Sequence, residues 1–99
     1  MALMNVELAV NYTPVNIEDF IQQFIGNVVT SMLDSLKDTD KAENIKLSIK
    51  GDSVDITVNG NDIQINAFTN DFVRNTVIGM VSSLKGVDQI DNLEIKITH

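Results

Sequence analysis

The stretch SVDITVNGNDIQI, residues 53–65, decides how this chain folds. Val54, Ile56 and Val58 alternate with Asp55, Thr57 and Asn59, the period of two that marks a strand with one buried face. Asn59-Gly60 then ends the alternation. A type I′ turn requires positive φ at both central residues, which Asn and Gly adopt more readily than other residues. Reversing the chain there sets Ile63 against Ile56 and Ile65 against Val54, so the apolar side chains meet on one face, as a half-buried sheet demands.

The same reasoning extends upstream. Gly51-Asp52 as a two-residue turn pairs Ile49 with Val54, Leu47 with Ile56 and Ile45 with Val58, so residues 45–65 read as a three-stranded antiparallel meander. Downstream, a helix is expected to begin at Thr69, with Phe68 and Val73 as a hydrophobic staple. It would bury Phe72, Val73, Val77, Met80, Val81 and Leu84 and stop at Lys85-Gly86, a basic last turn followed by glycine. A last strand follows, with Leu93, Ile95 and Ile97 against Glu94, Lys96 and Thr98.

Shifting the chain by forty-eight positions lays residues 5–51 on 53–99 without a gap. More than a dozen pairs are then identical, among them Val6/Val54, Asn11/Asn59, Phe24/Phe72, Met32/Met80, Asn44/Asn92 and Ile49/Ile97. Ordinary composition gives roughly three. Others exchange one aliphatic residue for another, as in Leu8/Ile56, Val15/Ile63 and Leu47/Ile95. The chain therefore reads as one domain, 1–99, made of two internal repeats, 5–51 and 53–99.

The first repeat is less regular. A turn at Asn11-Tyr12 pairs Leu8 with Val15, but Pro14 cannot donate to a ladder, so this return strand is an edge or is absent. The helix is expected to start from Asn16 as N-cap, with Val15 packing on Phe20. Its apolar stripe, from Ile17 to Leu36, is wider than one sheet contact requires.

The major elements run β-α-β-β-α-β, and each has one apolar face. This implies an α+β, two-layer sandwich with a mainly antiparallel sheet and both helices on one face. Right-handed crossovers favour the ferredoxin-like plait, in which the first major strand lies beside the third. The Asn59-Gly60 hairpin resists that order, because residues 61–65 compete for the same edge. Either this extra strand is short and sits at the sheet's end, or the sheet has five or six strands in another order.

Composition narrows the chemistry. With no cysteine, the chain has no disulfide, thiolate metal site or cysteine nucleophile. Together with an N-terminus that lacks a basic, apolar leader, this points to a cytoplasmic setting. The single histidine is His99, at the terminus, so no positioned imidazole base is expected. Asp38-Thr39-Asp40, Asp52, Asp55, Asp88 and Asp91 do not meet the calcium-loop spacing and read as solvated acids. No phosphate loop is formed by the five glycines; Gly26 and Gly79 fall within helices, where close packing explains a glycine best. Formal charge is −7. That disfavours nucleic acid and anionic membranes as partners, and the open sheet face carries no aromatic on which bases would stack.

What remains is a chain with no metal, no cofactor and no catalytic constellation. The expected function is a non-catalytic protein-interaction or assembly module whose partner is another protein or a second copy, as in a homodimer. Its expected contact residues are Ile21, Ile25, Val29, Leu33 and Ile78, which widen the helical stripes. The alternative is a small-ligand-binding regulatory module, using the equivalent loops Asp38–Glu43 and Val87–Asp91.

Overall fold

The computed structural model describes residues 4–36, 43–84 and 86–98. In chain order the elements are β1 (Asn5–Val10), β2 (Thr13–Val15), α1 (Asp19–Leu36), β3 (Asn44–Lys50), β4 (Ser53–Val58), β5 (Asn61–Ile63), α2 (Ala67–Ser82) and β6 (Asn92–Thr98). The six strands form one antiparallel sheet in the order β2-β1-β6-β3-β4-β5, with both helices packed on it. The shortest dimension is 19 Å, which is what two layers, each about 10 Å deep, produce.

The α+β class, the antiparallel sheet and the helix layer agree with the sequence reading. The ferredoxin-like order does not. In place of the first and third major strands lying side by side, the first (β1) lies beside the last (β6), and β3 stands between β6 and β4. The reason is edge occupancy. The hairpin strand β5 takes one side of β4 (Ile56↔Ile63), and β3 takes the other through the Gly51-Asp52 turn (Ile49↔Val54). β4 then has no edge left for β1. Since β2 covers the outer side of β1, the remaining inner edge of β1 receives β6 (Leu8↔Ile95). The extra strand is three residues long, 61–63, shorter than the 61–65 expected.

Turn chemistry explains the hairpins. Asn59 (φ 50°) and Gly60 (φ 84°) both lie in the left-handed region, and so do Asn11 (φ 50°) and Tyr12 (φ 68°) at the equivalent turn. Both are therefore of the I′ kind, whose twist matches that of the flanking strands. Pro14 is accommodated because β2 is an edge strand, facing the sheet only at Leu8–Val10.

The core is wholly aliphatic. Eighteen hydrophobic residues are buried among those described, and they form nine pairs separated by forty-eight positions. Val6/Val54, Leu8/Ile56 and Val10/Val58 come from the first strands, Ile45/Leu93, Leu47/Ile95 and Ile49/Ile97 from the last. The helices contribute Ile25/Val73, Val29/Val77 and Leu33/Val81, a straight i, i+4 line on each. The ladder between β3 and β6 pairs Leu47 with its own equivalent, Ile95. A pseudo-twofold axis passes between these two residues.

The repeats are interleaved by hydrogen bonds as well. Asn11 Oδ1 accepts from the backbone N–H groups of Asp91 (2.8 Å) and Asn92 (3.1 Å), and its Nδ2 donates to Gln89 O (2.8 Å). Asn59 Oδ1 accepts in the same way from Glu43 (2.9 Å) and Asn44 (3.0 Å). Each hairpin turn thus holds the start of the other repeat's last strand.

The outer edges of β1 and β4 extend past their short partners and are closed by helix side chains. Gln22 Oε1 accepts from Val6 N–H (3.1 Å), and Asn70 Oδ1, at the equivalent position, accepts from Val54 N–H (2.9 Å). Asn70 Nδ2 also donates to Asp52 O (2.7 Å), while Arg74 Nε donates to Gly51 O (2.7 Å). An open strand edge is a template for pairing with another chain, and these amides block it. Asn70→Ala is expected to cost about 1–3 kcal/mol, because Val54 N–H loses its acceptor. Urea-induced unfolding measures this, and Asn70→Gln should recover part of it.

The helix starts differ from expectation. α2 is capped by Asn66, whose Oδ1 accepts from Thr69 N–H (2.8 Å), so it begins at Ala67, two residues before Thr69. α1 begins at Asp19, three residues after Asn16. The two helical glycines also separate. Gly26 is buried, and a Cβ there would stand 2.8 Å from Met4 Sδ and 3.3 Å from Val6 Cγ2, so its absence lets α1 approach β1. Gly79 is exposed with open space around it. Its repeat equivalent is Ser31. Gly79→Ala should stabilise the fold by about 0.5–1 kcal/mol, read as a rise in thermal midpoint, by removing backbone entropy from the unfolded chain.

Candidate functional site

Every aromatic side chain of the protein stands outside the core. Phe20 is 68 % exposed, Phe24 54 %, Phe68 74 %, Phe72 55 % and Tyr12 78 %. The helix positions that face the sheet are already filled by Ile25, Val29 and Leu33 on α1 and by Val73, Val77 and Val81 on α2. At 100° per residue, Phe24 and Phe72 lie a quarter-turn or so from those lines, and Phe20 and Phe68 slightly further, on the same side. The opposite sides carry Gln22, Gln23, Asn70 and Arg74, which reach the outer sheet edges. The phenylalanines are therefore turned inward, toward the seam where α1 and α2 meet.

The i, i+4 spacing brings the rings of each pair together. Centroids lie 6.3 Å apart for Phe20 and Phe24, and 6.0 Å apart for Phe68 and Phe72, both tilted. Phe68 and Phe72 line a shallow, mainly apolar cleft with Thr69 and Val73 of α2 and Met32 and Ser35 of α1. The positions forty-eight residues away are Phe20, Phe24, Ile21, Ile25, Met80 and Ser83, and each has the same degree of burial as its counterpart. One end of the seam is thus the image of the other.

This placement corrects several expectations. Phe72 was expected in the core, Phe20 and Phe68 as staples on Val15 and Val73; all three are exposed because the i, i+4 line of smaller aliphatics fills the sheet contact alone. Of the five expected contact residues, Ile25, Val29 and Leu33 are buried against the sheet at 2 %, 0 % and 4 % exposure. Ile21 and Ile78 are half-buried and pack against the core. Only Ile21 falls within the aromatic seam. The signal that points to the phenylalanines is the stripe width: subtract the i, i+4 line, and the apolar surplus still includes Phe20 and Phe24 with Ile21, Val28, Met32 and Leu36 on α1, and Phe68 and Phe72 with Ile78 and Met80 on α2.

The open face of the sheet has a different character. Its central rows set Lys96 between Glu7 and Lys46, and Glu94 between Ala9 and Ser48. Such mixed charge suits water. Among the described residues, no group of three His, Cys, Asp or Glu side chains stands close enough to hold a metal ion. No helix among the described residues is long and apolar enough to cross a membrane. Val87–Asp91, one of the two loops considered for a ligand, supplies backbone groups to the Asn11 clasp. Asp38, Thr39, Asp40, Lys41 and Ala42, all of the other loop but Glu43, as well as Lys85 and His99, lie outside the described residues.

Compared with family models, curated proteins and solved structures, the chain matches none.

Proposed function

We propose that this chain is a non-catalytic protein-interaction module and that its contact surface is the helix layer. The observation that carries this reading is the exposure of all four phenylalanines in two equivalent pairs, over a core that is complete without them. A soluble chain's largest apolar patch is commonly its functional one, and aromatic rings are enriched where proteins meet. Aliphatic side chains are spent inside and the large rings outside, the reverse of what stability alone favours.

A photo-reactive phenylalanine analogue placed at Phe24 or Phe72 tests the surface. It should form covalent adducts with protein in the cell, whereas the same group at Lys46 on the sheet face should form few. Equal capture from both faces, or none from the helices, would remove the reading.

A further inference from the structure

We propose that the seam between α1 and α2 is the face on which two copies of this chain associate, helix layer against helix layer. The inference rests on the interaction reading above and adds the identity of the partner.

Area is the first argument. At about 200 Å² per phenylalanine, these exposures leave roughly 500 Å² of phenylalanine surface per copy. Two copies meeting there would cover roughly 1,000 Å² through these rings alone, close to the 1,200–2,000 Å² of a stable interface before Met32 and Met80 are included.

Charge is the second. The described charges on the two helices are Asp19, Asp34, Asp71 and Arg74. Arg74 is turned to the outer side and bonded to Gly51 O there, and Asp19 lies on the outer side of α1, whereas Asp34, seven residues after Asn27, and Asp71, four before Asn75, border the exposed top of the seam. Between the aromatic ends, the seam carries Asn27, Ser31, Asn75 and Gly79, all uncharged. Covering this middle strands no ion, and two facing copies bring Asp34 and Asp71 only to the border of the contact, where salt screens their repulsion. A lysine-rich partner would meet four rings and only these two border carboxylates, so a second copy fits better than a basic segment, despite the net charge of −7.

Shape is the third. The rings are bulky ends, and Ser31 and Gly79 are a small middle. The pseudo-twofold repeats both features, so the face offers a second copy projections and recesses at once.

The test is sedimentation or light scattering of the full chain over a roughly hundredfold dilution from about 1 mM, in low and high salt. The expected result is a concentration-dependent dimer that tightens as salt rises, because two chains of like charge repel less when screened. Phe24→Ser with Phe72→Ser should weaken it by about a hundredfold or more while leaving the unfolding midpoint near that of the parent, and Lys46→Gln should leave it unchanged. Should the double variant unfold, Phe68→Ser, at the most exposed ring, carries the same test. A monomer at about 1 mM, a dimer indifferent to these rings, or a complex that salt weakens would overturn the proposal. A monomer whose Phe72 analogue still captures other proteins overturns self-association and leaves the interaction reading standing. A monomer that captures nothing removes both.

Discussion

Ile95→Ala should lower the free energy of unfolding by about 3–5 kcal/mol, among the largest losses any single truncation in this fold can produce. Ile95 is fully buried at the middle of β6, between Leu8 on β1 and Leu47 on β3. No aromatic ring is available nearby to swing into the void, since all of them are outside. The cavity therefore persists, and its volume adds to the lost transfer energy. For a chain of this length the thermal midpoint should fall by roughly 15–25 °C. Leu47→Ala should cost a similar amount, because Leu47 is the equivalent position and sits between Ile56 and Ile95. The double variant should fall short of the sum, since the two voids merge. Urea denaturation at constant slope measures all three. A loss below about 1.5 kcal/mol for either single variant would mean that the sheet centre is not packed as described.

Asn11→Ala is expected to cost about 2–4 kcal/mol, much more than a usual exposed turn position. Two independent effects add. Alanine at φ 50° suffers the left-handed penalty of roughly 1–2 kcal/mol. The side chain's three hydrogen bonds to Gln89, Asp91 and Asn92 also disappear, leaving two strand-entry N–H groups without their acceptor. Asn11→Gly separates the terms: glycine keeps the backbone at no steric cost but forms no clasp, so it should lose only about 1–2 kcal/mol. Asn11→Asp keeps the acceptor and should lie closest to the parent. If glycine and alanine were equally harmful, the clasp alone would account for the loss; if glycine were harmless, the clasp would contribute nothing.

These expectations show where the sequence could be read and where it could not. Alternation in Val54-Ile56-Val58 and the dipeptide Asn59-Gly60 specify a hairpin locally, and its register (Ile56↔Ile63) followed from them. So did Leu8↔Val15 across Asn11-Tyr12 and Leu47↔Ile56 across Gly51-Asp52. Strand order is different in kind, because it depends on which edges remain free. Two three-residue strands, β2 and β5, occupy edges and so push β6 to the centre; their competition for an edge was visible at residues 61–65, but not its outcome. The aromatic seam was hidden by a general rule. Phenylalanine ranks as a core residue, and Phe24 and Phe72 occupy apolar stripes, so they read as buried. What overrules the rule is the aliphatic sheet face, which one i, i+4 row per helix suffices to cover.

Among the described elements, strand β1 is synthesised first and β6 last. Val6 pairs with Ile97 and Leu8 with Ile95, so the inner edge of β1 stays without its partner until residues 92–98 have left the ribosome. Completion of the sheet is thus a late, long-range step, which slows folding and delays protection of a hydrophobic strand. Because each half borrows its inner strand from the other, neither can shed water from its core alone, and the chain should melt in a single transition.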